Sequence, residues 1–251
     1  MRWSRRSLLL GLTLLLPLAV PVRPAVADLV AALSNHLVAI TTGFSGTDVL
    51  LFGTTIGGSG DVVVVIRGPE NAEIVRRRGR HAGIWVNDAE MVFEQVPGFY
   101  AVAASRPPGE FLPERTANRH QIGTEYLRLV PRRVAPGENV ATFREALIRN
   151  KQKLNLYSRE PEKITFVGGT LFRADMHIPA NAPVGSYAVG VYLVRDGDVV
   201  AAEITPLLVS KVGFEARVYD FAYRYSLAYG VLAILIAAVA GWLASLVFRK
   251  G

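Results

Sequence analysis

The chain is apolar at both ends and mixed in between, so its ends decide in which compartment the middle can fold. Arg2, Arg5 and Arg6 precede a leucine-rich run from Leu8 to Leu16, and Ala25-Val26-Ala27 stands before Asp28. A basic start, a short apolar core and a small-residue site are the parts of a secretory signal, which predicts cleavage after Ala27. The run is short for an anchor and is broken by Pro17 and Pro21. Ser4-Arg5-Arg6-Ser7-Leu8 half-matches a twin-arginine signal, but the leucine-rich core favours the general secretory route.

At the other end, Ser226 to Phe248 contains no acidic or basic residue, and about 20 such residues span a hydrocarbon core as a helix. Arg249-Lys250 follows, and short basic flanks stay on the cytoplasmic side. The expected organisation is a signal peptide at 1–27, a β-sandwich region at 28–106, a helical connection at 107–162, a second β region at 163–222, a transmembrane helix at 223–248 and a cytoplasmic tail at 249–251. The corresponding location is the inner membrane, single-pass, with the domain in a bacterial periplasm.

Whole-chain charge misleads until the ends are set aside. Lys plus Arg number 28 against 21 Asp plus Glu, and the pI is near 9.9, values that suggest nucleic-acid binding. Arg2, Arg5, Arg6 and Arg23 belong to the signal, and Arg224, Arg249 and Lys250 to the anchor, whereas every acidic residue lies between. The exported part is therefore left with 21 basic and 21 acidic residues. A neutral domain gains little from counterion release, which argues against a nucleic-acid partner. There is no cysteine, hence no disulfide framework, thiol nucleophile, thiolate metal site or lipoprotein anchor. Roughly 200 residues are enough to stand on an apolar core alone.

From His36 to Ser105, short β-branched runs alternate with turn residues. Leu37 to Ile40, Asp48 to Ile56, Val62 to Ile66, Glu73 to Arg80, Gly83 to Val86, Met91 to Val96 and Tyr100 to Ala104 read as seven strands. The unbroken apolar run Val62 to Ile66, stopped by Gly68-Pro69, predicts a strand buried on both faces. This spacing points to a mainly β fold with immunoglobulin-like antiparallel β-sandwich regions. Between Pro107 and Pro161, Ile122, Tyr126 and Leu129 form one helical stripe bounded by Pro113 and Pro131, and Phe143, Leu147, Leu154 and Tyr157 form another. A helical hairpin is expected, in the most basic part of the exported chain. Strands resume at Ile164, with Tyr187 to Val194 joined through Asp196-Gly197 to Val199 to Val212 as a hairpin. They form either a second sandwich or the completion of the first.

Candidate sites are few. His36, His81, His120 and His177 lack metal-ligand spacing, so no metal and no cofactor is expected. Gly43-Phe44-Ser45-Gly46 misses the second glycine of a nucleophile elbow, and Asp196-Gly197-Asp198 is only a fragment of a calcium loop. Arg76, Arg78 and Arg80 share one face of a strand, with Arg77 opposite. Three guanidiniums could grip a small anion, although charge also protects a sheet edge. Trp85 reads as a core aromatic. In the last helix Ala233, Ala237, Gly241 and Ser245 recur every four residues and form a candidate helix-packing stripe. Tyr219, Phe221, Tyr223, Tyr225 and Tyr229 supply an interfacial aromatic belt.

Phe44-Ser45-Gly46-Thr47 with Leu51-Phe52-Gly53, Val64 to Pro69, Gly83 to Asn87, Val96 to Tyr100 and the Gly185-Ser186-Tyr187 hairpin, together with the C-terminal helix, carry a resemblance over nearly the whole mature chain. The chain resembles a family of predicted transmembrane proteins from alphaproteobacteria. The resemblance implies a periplasmic domain on a C-terminal membrane helix and brings no catalytic residues with it. The expected function is a membrane-anchored, non-catalytic accessory or partner-binding module that supports an envelope transport protein. Its partner would be another inner-membrane or envelope protein, or a second copy through the membrane helix. A small-anion-binding domain and a hydrolytic enzyme are the alternatives.

Overall fold

The computed structural model describes residues 28–56, 60–134, 136–212 and 221–248. The signal at 1–27, Gly57-Gly58-Ser59 of an expected turn, Tyr219 and Arg249-Lys250 lie outside the described residues. The first strands are β1 (Leu29–Leu33), β2 (Leu37–Ile40), β3 (Gly46–Thr55), β4 (Asp61–Arg67), β5 (Glu70–His81), β6 (Ile84–Pro97) and β7 (Tyr100–Ala104). Then follow α1 (Glu114–His120), β8 (Val130–Pro131), α2 (Val140–Lys153), β9 (Glu162–Lys163) and β10 (Thr165–Val167). The chain closes with β11 (Leu171–Pro179), β12 (Gly185–Arg195), β13 (Asp198–Lys211) and α3 (Ser226–Phe248).

One sheet has the order β1-β3-β11-β10 and a second the order β2-β13-β12-β4-β7-β9. Strands from before and after the helical connection thus share both sheets, completing one sandwich. Pairing is antiparallel except for β2 with β13 and β7 with β9. In β11 Phe172, Ala174, Met176 and Ile178 are buried while their neighbours face outward, the period-2 pattern of a sheet with one covered face. β4 is buried from Val62 to Ile66, because its sheet is covered twice. Val64 lies opposite Val191 and Ala103, and this face joins the core shared with β11. On the other face Val63 lies beside Tyr192, whose ring packs 5.6 Å from that of His120 on α1.

The helical connection forms that second cover, but not as two long helices. α1 stops at His120, because Gln121 takes a left-handed φ of 51°. Its carbonyl accepts from the Tyr100 hydroxyl at 2.7 Å and from Arg67 at 3.1 Å. Ile122 and Leu129 are buried, yet they lie outside any α-helix, with only a 3-10 turn over Thr124–Tyr126 between them. α2 follows the predicted stripe at Phe143 and Leu147, both buried, and is capped by the Asn139 side chain accepting from the Ala141 N–H at 2.9 Å. Leu154 is exposed just beyond the helix, and Tyr157, further along, is buried with its hydroxyl on the Pro97 carbonyl.

The largest departure from the expected strands is β6. The expected strands Gly83 to Val86 and Met91 to Val96 are not separate: Gly83 lies in a turn and the rest belongs to one strand, which pairs with β5 and with β8 in a third sheet. Trp85 is not a core aromatic; it is 66% exposed.

Candidate functional site

β5 and β6 continue the ladder of β4 and β7 beyond the sandwich. After the Arg67 to Tyr100 pair, the Gly68 N–H donates to the Phe99 carbonyl and the Gly98 N–H to the Pro69 carbonyl, each at 2.8 Å, and Glu70 then pairs with Pro97. The result is a projecting ribbon arm. Its tip is a two-residue turn with Ala82 at φ 49° and Gly83 at φ 85°, the positive-φ pair that suits a twisted hairpin.

Strand alternation on this arm places the arginines as expected, with different consequences for each. Asp88 is an extra residue in β6, opposite the step from Arg77 to Arg78, and its carboxylate sits against Gly79. Arg77 shares that side: it bonds Asp88 at 3.2 Å and Glu138 at 3.3 Å, and lies 5.9 Å over the Phe143 ring of α2. It clamps the arm to the helix. Arg76 on the opposite side pairs with Glu90 at 3.3 Å, and Arg80 donates to the Gly83 carbonyl at 3.4 Å. Arg78 faces Asn87 across the ladder.

Depressions among the described residues lie beside the sandwich. An open groove of about 820 Å³ holds Asp61, Arg106, Glu110 and Arg195. Its charges are largely engaged: Arg106 grips both oxygens of Asp61 at 2.9 and 2.8 Å, and Arg195 bonds Asp28 at 3.2 Å. Arg106 holds the Asp61 carboxyl below its ordinary range. A smaller cavity of about 250 Å³ has Val102, Leu112, Ala117 and Ile122 for a floor and Ser158, Arg159 and Glu160 at its rim. The Ser158 hydroxyl is occupied as acceptor for the Val102 N–H at 3.2 Å.

The residues of the hydrolytic alternative lie on neither depression. His177 Nδ1 and Asp48 Oδ1 stand 2.7 Å apart, where β11 pairs with β3 close to Ser45, and both side chains are more than half exposed. Water screens such a pair. His36, His81, His120 and His177 occupy separate elements or turns, and among the described residues no three His, Asp or Glu side chains group as a metal site.

α3 is long and apolar enough to cross a bilayer, and its Ser226–Ser245 stretch is not buried against the rest of the described protein. A family described as "Putative transmembrane protein (Alph_Pro_TM)" matches residues 28–250. The chain belongs to this family. No curated protein and no solved structure matches it. The Alph_Pro_TM match spans both the β domain and α3, so the resemblance carried by the sequence motifs is borne out, and the chain is a membrane protein.

In this Alph_Pro_TM chain, Ala233, Ala237, Gly241 and Ser245 all lie within the continuous helix α3 and are exposed; a Cβ built on Gly241 would meet nothing within 4 Å. A second unpartnered surface was missed from sequence. Val200, Ala202, Ile204, Pro206 and Leu208 point outward along β13, with Ile204 67% exposed, and Leu37 of β2 lies beside Leu208. The α1 cover ends at Tyr192, one strand short of this row. The signal was the apolar alternation Val200, Ala202, Ile204, Pro206 and Leu208 beside a mixed one that includes Glu203 and Thr205; an apolar alternation reads as the buried face, yet here it is the open one.

Proposed function

We propose that the protein is a membrane-anchored, non-catalytic partner-binding module of the bacterial envelope, with its β domain in the periplasm and its C-terminus in the cytoplasm. The observation that carries this reading is the outward apolar row of β13, because contiguous exposed apolar surface marks protein interaction sites. Another inner-membrane or envelope protein, such as a transport protein, is the partner that a tethered domain meets most readily. The small-residue stripe of α3 supports a second contact within the bilayer. The signal-like N-terminus and Arg249-Lys250 support the orientation.

The strand orders support reading the sandwich as immunoglobulin-like. β1-β3-β11-β10 follows the order A-B-E-D, and β13-β12-β4-β7 the order G-F-C-C′.

Cross-linking in membranes followed by affinity purification tests the proposal. A stoichiometric partner is expected, and Ile204→Lys with Leu208→Lys should reduce its recovery by about tenfold. The same substitutions should leave stability within about 0.5 kcal/mol, as exposed positions do. A chain that stays monomeric and alone in the membrane sinks the reading.

A further inference from the structure

We propose that the tip of the β5–β6 arm is a second membrane contact, with Ile84, Trp85 and Val86 seated in the lipid interface and Arg78 and Arg80 on anionic headgroups. The occupant is the surface of the same bilayer that α3 crosses.

Topology brings the arm to the correct end of the sandwich. β4 and β13 both run antiparallel to β12, so they point the same way. Val209 pairs with Gly185, and Arg67 with Ala188 in the same strand, so β13 and β4 leave the sandwich close together. β13 leads to α3 and hence to the bilayer, while β4 continues through Gly68-Pro69 into the arm. At about 3.3 Å per residue the 12 residues of β5 span up to about 40 Å. Val212 and Phe221 are nine residues apart, which bounds their separation at about 30 Å, and the helical turn in which the Tyr225 N–H donates to the Phe221 carbonyl adds about 7 Å before α3. Tip and anchor can therefore meet one surface.

The chemistry of the tip fits an interface and little else about a soluble hairpin. Ile84 is 67% exposed, Trp85 66% and Val86 42%. Trp85 lies opposite Arg80, with Asn87 opposite Arg78, so one side of the ribbon carries the indole beside two guanidiniums. Ile84 and Val86 lie opposite His81 and Gly79 on the other side. An amphipathic indole sits at headgroup depth, and arginine stems cover apolar surface while their heads reach phosphate. The acidic groups nearby are engaged by other arginines: Asp88, on the opposite side of the ribbon, and Glu138 by Arg77, and Glu90 by Arg76. Among the described residues, Arg78 makes no hydrogen bond or ion pair and Arg80 reaches only the carbonyl of its own turn, so the two cations nearest the tip are available for a headgroup.

The absence of cysteine makes the test direct. Full-length Ile84→Cys, carrying an environment-sensitive fluorophore, is reconstituted at about one chain per vesicle in phosphatidylcholine with or without phosphatidylglycerol. Val200→Cys, beside the Asp196-Gly197 turn at the far end of the sandwich, is the reference. Headgroup-labelled quencher lipid should quench the label at position 84 at least twofold more than at position 200, and phosphatidylglycerol should increase the difference. Arg78→Glu with Arg80→Glu should abolish that increase. Equal quenching at both positions overturns the proposal, as does quenching at position 84 that needs an added envelope protein. If the label at 84 disturbs the fold, as judged by circular dichroism, His81→Cys, opposite Ile84 at the same tip, gives the same readout.

Discussion

Gly53 shows how a single hydrogen in place of a side chain holds one sheet together. A Cβ built there would lie 2.4 Å from both the Phe172 ring and the Val30 carbonyl oxygen. The ring of Phe172, fully buried, occupies the space above the glycine, where β11 and β3 pair at that position. Gly53→Ala is expected to destabilise by about 1–3 kcal/mol, the usual cost of overpacking, measured by urea unfolding. Adding Phe172→Leu should recover only part, since the clash with the backbone carbonyl persists. From sequence Gly53 was one member of a motif; its role needed the partner strand. Trp85 teaches the converse. Its residue type argued for burial, but position in a projecting ribbon overrode type, because among the described residues no element covers it.

At the scale of elements, the connection between β7 and β9 was legible where local chemistry decides and illegible where distant groups do. Asn139 caps α2, and Phe143 and Leu147 share its buried face, all within one helix. α1 ends early because Arg67 and Tyr100, over 20 residues upstream, take the carbonyl of Gln121. Burial pushes the Tyr100 phenol well above its ordinary value, so it stays neutral and also accepts from the Gly123 N–H at 2.8 Å. The contact of α2 with the arm depends on Lys151, which is 8% exposed and paired with Glu73 of β5. Glu73→Gln should cost more than Lys151→Met. The first leaves a buried ammonium without its counter-charge, whereas the second leaves a carboxylate that still reaches water. About 1–3 kcal/mol is expected for Glu73→Gln, reduced from the fully buried case by the exposure of Glu73. The double variant should recover most of the loss in a double-mutant cycle. Equal losses for the two single variants would show that the ion pair does not hold the arm.

For the molecule as a whole, the two sheets meet at Glu162 as well as in the apolar core. This half-buried carboxyl of β9 is raised above its ordinary value of 4.5, mainly by loss of water, although a bond from the His177 backbone N–H of β11 and the nearby His177 ring pull it back. A carboxyl raised in the folded state favours folding while protonated, and that contribution is lost as pH rises through the folded value. Glu162→Gln should therefore melt higher than the parent at neutral pH, with the advantage shrinking as pH falls toward the unfolded value. Thermal melts from about pH 4 to 8 read this directly. A difference that does not change with pH would rule it out.

What the sequence determined by itself was the placement of the chain and the local habit of its segments. An uncharged run of Ser226 to Phe248 partitions into lipid whatever the rest does, and the apolar run Val62 to Ile66 requires two covered faces wherever it lies. Turns were equally local: Asp196 and Gly197 adopt positive φ and join β12 to β13 as their types demand. Tertiary structure alone decided which faces stay open. The outward alternation of β13 is apolar from Val200 to Leu208, and the limited reach of α1 leaves it bare. The arginines share a strand as their spacing implies, but only the continuation of β4 into β5 directs that strand toward the end of the sandwich where β13 also leaves. Exposure depends on neighbours distant in sequence, and no local pattern encodes where those neighbours stop.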